Sequence, residues 1–568
     1  MNGAHAIIDT LLKQGCDVTF GYPGGSVIPL FDAYLDYKGK IRNVLVRHEQ
    51  CAAHAAEGYA KASGKVGVCI ATSGPGATNL VTGIMDAYMD NIPIVALGGQ
   101  VPTKLIGNDA FQESDMMGIT IPITKHNFQA RSADDLAPMI MKSFMLAEEG
   151  RPGPVYIDLP KDTQIHQVTK PFPKEVKIEG FCPTFKPNNH QLKKAVAAIA
   201  ESKKPLFLIG GGAVLADADK EFAELSKITK IPVTTTLQGK GIFDEDNDLS
   251  LGIVGMHGRK CANYATINTD LLISIGCRFS DRITGSLESY MKNVTVIHAD
   301  VDPAEIGKNV HVDIPIVGDA REIIQGLVDA IKSVKLPDWS SWRDEIHKMR
   351  DACESCTWCL DKKKIHPRMI IEAMNKIIKK DDIVVTGVGQ HQMFAMHYLK
   401  RYKPRTFISS GGAGTMGFGF PAAIGAKVAK PEKEVFLIDG DGSFQMTLQE
   451  LGTVAEAGIK VIIMIFNNSY LGMVRQWLEI YHDKRYSQVH LGKGPDFVKI
   501  AEAYGLKGIN VSDPAKIDSA IKEAIKSDVT TLINFKMEEE SNVLPMLPPG
   551  GHVKDAFGGC MKIPGQFI

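Results

Sequence analysis

The densest chemical signal in this sequence is a glycine turn with a carboxylate inside it. Val435–Ile438 reads as a buried strand that runs into Gly440-Asp441-Gly442 just before a helical stretch. A glycine turn opening a helix aims backbone N–H groups at an anion, phosphate above all. Asp441 inside that turn would repel phosphate directly, and a divalent cation between the two resolves the conflict. Asp441 offers a hard oxygen, and Asn468 offers an amide carbonyl at the end of the next strand, Val461–Phe466. Mg²⁺ keeps few protein ligands beside substrate oxygens, so one carboxylate and one amide suffice. A lone Gly-Asp-Gly is most often a surface turn. Asn467-Asn468 following it after 24 residues makes the signal much sharper.

Three other clusters could carry chemistry. Glu49, in Val46–Gln50, follows strand Asn43–Leu45 and opens the helix Ala52–Ala62. The carboxyl ends of strands are where α/β sheets place their sites, although a glutamate at a helix start is also a common dipole partner. In the middle of the chain, strand Pro205–Ile209 enters Gly210-Gly211-Gly212, and strand Leu271–Ile275 enters a loop from Gly276 to Arg282. A triple glycine alone is weak evidence for a nucleotide. Cys353, Cys356 and Cys359 are spaced by three beside Trp358. Zinc wants four ligands, and no fourth cysteine follows nearby. The spacing predicts a helix face of small buried thiols.

These residues need a frame to hold them. Apolar β-rich runs alternate with helical patterns throughout, which predicts an α/β protein with mainly parallel sheets covered on both faces. Pro-containing Thr163–Gln191 and polar Lys335–Pro367 read as connectors. The expected organisation is three doubly wound domains, 1–165, 190–335 and 365–550, followed by a tail, 551–568. The outer two share a plan. Strand Gly67–Ala71 enters Ser73-Gly74-Pro75-Gly76, and strand Ile92–Leu97 ends 21 residues later at Gly98-Gly99, much as Val435–Ile438 relates to Asn467. A duplication would explain this, and so would the spacing common to doubly wound domains.

Composition excludes several classes. The chain has 568 residues, and at ~150 per domain that allows three to four domains. Lys+Arg 64 against Asp+Glu 65 gives a net charge of −1, without the basic surplus of a nucleic-acid binder. No apolar run approaches the ~18 residues that span a bilayer. Met1–Gly15 reads as a first helix rather than a signal peptide. Ten scattered cysteines suit free thiols in a reducing cytoplasm better than a disulfide framework.

The Gly440–Gly442 and Asn467–Asn468 pair resembles the motif of the thiamine-diphosphate enzymes. Further along, Gly21-Tyr22-Pro23-Gly24-Gly25, Gly99–Pro102, Asp109–Glu113, Arg151–Val155, Leu159–Asp162, Gly255–Gly258, Gly411–Gly419 and Gly472–Trp477 are together similar to the catalytic subunits of acetolactate (acetohydroxyacid) synthases. The resemblance runs from about Asn2 to Pro549. It implies decarboxylation of pyruvate and ligation of the two-carbon unit to a second pyruvate or to 2-ketobutyrate. Thiamine diphosphate, Mg²⁺ and FAD are the implied cofactors. A homodimer or tetramer with a small regulatory subunit is the implied assembly, away from membranes and nucleic acid. A flavin-dependent pyruvate oxidase on the same three domains, or another thiamine-diphosphate 2-ketoacid decarboxylase or carboligase, is the alternative.

The resemblance also implies roles. Mg²⁺ would be held by Asp441, Asn468 and the main-chain oxygen of Tyr470, with Gly440, Gly442 and Ser443 at the diphosphate. Pro23, Gly24, Glu49, Pro75, Asn79, Gly389, Gln390, His391, Gly414, Met416, Gly472 and Met473 would also contact thiamine diphosphate. Glu49 would bind its aminopyrimidine, and Met416 would wedge it into a bent shape. FAD would lie against Arg151, Gly210, Gly211, Gly212, Met256, His257, Gly258, Gly276, Arg278, Asp300, Asp302, Glu305, Ile306, Asp319 and Ala320. Phe111, Gln112 and Lys161 would shape the reaction pocket, Arg282 would take the second ketoacid's carboxylate, and Trp477 would line the acceptor site. For Arg282 the alternative is a salt bridge with Asp281 or Glu288, and for Trp477 it is core packing. Ser26, Ser280 and Pro549 depart from the commoner pattern without removing a group the reaction needs.

Overall fold

Each third of the chain builds one six-stranded sheet in which all strand pairs are parallel. The computed structural model describes residues 1–288, 290–354, 363–539, 541–548 and 550–558. Cys356, Cys359, Pro549 and tail residues 559–568 lie outside the described residues, and of Cys353 only the backbone is described.

The first sheet comprises β1 (Val18–Gly21), β2 (Arg42–Leu45), β3 (Gly67–Ala71), β4 (Ile94–Gln100), β5 (His126–Gln129) and β6 (Val155–Pro160), in the order β2-β1-β3-β4-β6-β5. The second comprises β7 (Pro205–Ile209), β8 (Val233–Thr235), β9 (Ser250–Ile253), β10 (Leu271–Ile275), β11 (Thr295–Asp300) and β12 (Ile314–Val317), in the order β12-β11-β10-β7-β8-β9. The third comprises β13 (Ile383–Thr386), β14 (Phe407–Ile408), β15 (Val435–Gly440), β16 (Ile462–Asn467), β17 (Lys507–Val511) and β18 (Thr531–Lys536), in the order β14-β13-β15-β16-β18-β17. Counted from each domain's own first strand, the outer sheets share the order 2-1-3-4-6-5, and the middle sheet has 6-5-4-1-2-3. A shared order is what a duplicated unit gives; doubly wound folds in general do not require it.

Central strands β3, β7 and β15 are buried along their whole length, because parallel strands between two helical layers meet no solvent. Five helices position the site: α1 (Glu49–Ser63), α2 (Val81–Asp90), α3 (Gly419–Ala429), α4 (Asp441–Gln445) and α5 (Gly472–Tyr481). Helix α1 starts three residues earlier than the sequence suggests. His48 caps it by accepting from the Gln50 N–H, and Glu49 sits in the first turn, where the helix dipole favours a carboxylate. Strand β4 begins at Ile94, later than expected, because Asn91 in the left-handed conformation closes α2 and Pro93 follows. It then continues through Gly98 and Gly99 to Gln100.

The two outer domains meet through α1 and α3. A Cβ at Gly58 would run into the Ala422 carbonyl, and one at Gly425 into the Ala55 carbonyl. The second connector is packed more firmly than its polar composition suggests. It contains the helix Ser340–Glu354, and Trp339 and Trp342 anchor it by donating their indole N–H to Ser202 O and Pro205 O at 3.0 and 3.1 Å.

Candidate active site

The Gly-Asp-Gly turn and the Asn-Asn pair meet because their strands are neighbours in register. Gly440 pairs with Phe466 across β15 and β16, so both strand ends open on the same side. Asp441 then begins α4 and is only 4 % exposed. Burial pushes its carboxyl up to about 6, against the opposing pull of backbone N–H groups, including those of Asn468 and Ser469, and of His391. A cavity of about 70 Å³ gathers Gly389, Gln390, His391, Met416, Gly440–Ser443, Asn468, Tyr470, Gly472 and Met473. Its donor set of a carboxylate, an amide and main-chain oxygens beside a glycine turn fits a hard divalent cation carrying phosphate oxygens. The turn itself is tightly backed. A Cβ at Gly440 would lie 2.8 Å from His391 Nδ1, whose ring also has Nε2 at 3.4 Å from Asp439 Oδ1.

A second cavity of about 1000 Å³ lies between the middle and outer domains. Arg151, Gly211, Gly212, Met256, His257, Gly276, Arg278, Asp300 and Glu305 line it, together with Gly414, Arg282 and Trp477. Glycine is needed at its floor: Gly276 has φ +62°, and a Cβ at Gly212 would lie 2.7 Å from its Cα. The open glycine floor and the large volume suit a dinucleotide. Arg151 ties the rim together by ion pairs to Glu305 at 2.6 Å and Asp302 at 3.2 Å. Burial raises Asp300 to about 6. At the wall, burial and then the charge of Arg282 hold His257 down at about 4, so its ring is neutral.

Arg282 is exposed, and its Nε lies 3.6 Å from Asp281 Oδ2, a solvent-screened pair of little worth. Trp477 is half-buried. It packs against Met256, Leu547 and Ala556 and also lines the large cavity, so packing and pocket wall coincide in one ring.

The remaining sequence-derived candidates stand apart. Glu49, Pro23, Gly24, Pro75, Asn79, Phe111, Gln112 and Lys161 line neither cavity. Several share one face of the first domain. Asn79 donates to Glu49, and Gly74, at φ +59°, leaves room for the Gln112 carbonyl, 2.8 Å from where its Cβ would be. Gln112 is itself left-handed at φ 60°, and Phe111 beside it is 89 % exposed. Of the middle-domain candidates, Gly210, Gly258, Asp302, Ile306, Asp319 and Ala320 do not line the large cavity. Asp319 caps the following helix through the N–H groups of Arg321 and Glu322.

Sequence reasoning missed Asp90. Its carboxylate accepts from Lys61 Nζ at 2.7 Å, Gln238 Nε2 at 2.7 Å, Gly412 N at 2.6 Å and Gly411 N at 3.1 Å. All three domains are thereby knotted beside the glycine run that leads to Met416. Asp90 ends an ordinary-looking helix, and no local pattern marks it.

Comparison with known proteins follows the three-sheet division. Residues 1–119 match the thiamine pyrophosphate enzyme N-terminal TPP binding domain, residues 192–327 the central domain, and residues 387–535 the C-terminal TPP binding domain. The chain is 49 % identical to a probable acetolactate synthase large subunit of Methanocaldococcus jannaschii, over 97 % of this chain and 94 % of that one. It is 48 % identical to the corresponding protein of Methanococcus aeolicus, over 100 % and 97 %. An acetolactate synthase of Mycobacterium bovis is 46 % identical, over 97 % and 90 %. With its three domains and its whole length accounted for in this way, the chain belongs to the thiamine pyrophosphate enzymes, in the family of acetolactate synthase large subunits.

Proposed function

We propose that this chain decarboxylates pyruvate and joins the two-carbon unit to a second 2-ketoacid. Pyruvate as acceptor gives 2-acetolactate, and 2-ketobutyrate gives 2-aceto-2-hydroxybutyrate, the first common step toward the branched-chain amino acids. One observation carries this reading: Val388, Gly389, Met416 and Met473 line both cavities. A cofactor seated on Gly440–Ser443 would thus border a chamber holding Arg282 and Trp477.

Thiamine diphosphate, when bound, supplies a carbanion that attacks a keto carbon and a sink for the electrons left as CO₂ departs. Asp441, Asn468 and the main-chain oxygen of Tyr470 would hold Mg²⁺, and the Gly440–Ser443 turn would hold the diphosphate. Met416 braces the boundary between cradle and chamber. Glu49 would exchange a proton with the cofactor's aminopyrimidine, a general acid–base task. Arg282 receives the acceptor's carboxylate, for which a planar guanidinium is suited. Trp477 walls the acceptor side. The larger cavity takes FAD, which has no redox duty in a ligation without net oxidation.

In domain terms, 1–165 binds the pyrimidine, 190–335 the flavin and 365–550 the diphosphate. Glu49, Gln112, Phe111 and Lys161 line neither cavity, so the face that carries them in one copy closes over the cradle of a second. A homodimer is the smallest complete unit, and a tetramer is two of them. A small regulatory subunit is the further partner, in keeping with the large-subunit naming of the relatives. Six free cysteines among the described residues support a reducing compartment, the cytoplasm. Assaying acetolactate formation from pyruvate alongside oxygen and quinone consumption tests the reading. Turnover that strictly requires an electron acceptor would replace it with the oxidase alternative.

A further inference from the structure

We propose that Gln476 is a positioning residue that sets which end of the Asn468 amide is presented as a metal ligand. The proposal rests on the reading of Asn468 as a ligand. Gln476 lies on α5, is fully buried, and lines neither cavity. Its side chain exchanges two hydrogen bonds with the backbone of Val543. Val543 N–H donates to Gln476 Oε1 at 2.8 Å, and Gln476 Nε2 donates to Val543 O at 3.0 Å. A backbone N–H can only donate and a carbonyl can only accept, so this pairing fixes the polarity of the Gln476 amide.

That polarity passes on. Gln390 Nε2 donates to the same Oε1 at 2.9 Å, which turns Gln390 Oε1 toward Asn468 Nδ2 at 3.4 Å. With its nitrogen committed to Gln390, Asn468 keeps Oδ1 on the side where the Tyr470 N–H reaches it at 3.1 Å. A reversed Asn468 would offer an NH₂ group to a cation, which it cannot ligate. Asn468 is thus held from both ends, at Oδ1 by the Tyr470 N–H and at Nδ2 by three amides in series that end on the Val543 backbone. It is this second hold that Gln476 supplies. Room for the junction comes from Gly472, where a Cβ would run into Gln390 Oε1 and lie 3.0 Å from Asn468 Nδ2.

The test follows thiamine diphosphate binding to the full chain by tryptophan fluorescence as Mg²⁺ is titrated, which needs no turnover. Gln476→Met keeps the side chain's length and removes the polarity. It should raise the Mg²⁺ requirement by about 10–100-fold, the scale for groups that orient metal ligands. Gln476→Glu is kept neutral by its burial. It accepts from Gln390 and from the Val543 N–H through one oxygen and donates its O–H to Val543 O in place of Nε2, so it should stay close to the parent. Asn468→Asp has two equivalent oxygens and no polarity to set, so adding Gln476→Met to it should cost nothing further. An unchanged requirement in Gln476→Met would overturn the proposal. An equal loss in the Met and Glu variants, or an undiminished loss on the Asn468→Asp background, would also overturn it, since merely structural roles predict those. Should Gln476→Met fail to fold, the Glu variant decides: its loss of Mg²⁺ affinity overturns the proposal, and its retention supports it. A parent protein that binds thiamine diphosphate without any need for Mg²⁺ would instead remove the underlying reading of Asn468.

Discussion

Asn79 Nδ2 donates to Glu49 Oε2 at 2.9 Å, which fixes the first carboxylate of α1 at the edge of the first domain. Oε1 of the same group lies 3.3 Å from where a Cβ of Gly76 would be, so glycine keeps that oxygen accessible. Among the described residues, one oxygen of Glu49 is thus committed to Asn79 and the other carries no hydrogen bond.

Glu49→Gln keeps an acceptor for Asn79 and loses the acid. Folding and thiamine diphosphate binding should persist, while acetolactate formation falls by about 10²–10⁴-fold. Near-normal rates in this variant would show that Glu49 serves the helix dipole alone.

Asp441→Ala removes the charged member of the cradle. Mg²⁺-dependent thiamine diphosphate binding, read by fluorescence quenching, should weaken severely. An unchanged dissociation constant would reduce the Gly-Asp-Gly turn to a structural one.

The purified protein should be yellow, with its flavin absorbance lost in Gly212→Val, because a side chain there has no space against Gly276. Pyruvate turnover should proceed without oxygen or quinone. Colourless protein that takes up no added FAD would contradict the assignment of the large cavity.

Trp477→Leu should keep acetolactate synthesis and lower selectivity for 2-ketobutyrate over pyruvate. The two acceptors differ by one methylene, which a hydrophobic wall can distinguish by only ~1–3 kcal/mol. Quantifying both products from a mixed reaction gives the ratio. If the ratio matches the parent's, the indole serves packing against Met256 and Leu547 alone.

Lys61→Met should destabilise the fold by about 3–5 kcal/mol, the scale for removing one partner of a buried ion pair. Burial disfavours the Lys61 charge, but Asp90, Glu57 and Asp86 outweigh it and raise the group above its ordinary value. The variant leaves those three acids buried without their cation, two of them formerly at 2.7 and 3.0 Å from Nζ. Denaturant unfolding followed by circular dichroism measures the loss, and coincident curves would refute it.

Read without its structure, the chain yields the central strands, the glycine turns and the parallel α/β class, but not the order of the strands in each sheet. A buried strand, a glycine turn and a helix start are encoded by residues adjacent in the chain, and the spacing to Asn468 follows from one strand-to-strand crossover, closed by the Gly440–Phe466 register. Glycine patterns fixed the floor of the large cavity for the same local reason. Tertiary structure alone decided what stands against what. Asp90 reaches Gly412, 322 positions away, and Gln476 reaches Val543 across 67. The two cavities share Met416 and Met473, Gly58 and Gly425 let α1 and α3 close backbone to backbone, and Asp90 bonds to the glycine run that leads to Met416. Spacing records local backbone geometry, whereas these contacts depend on the combined shapes of surfaces that no single stretch of chain contains.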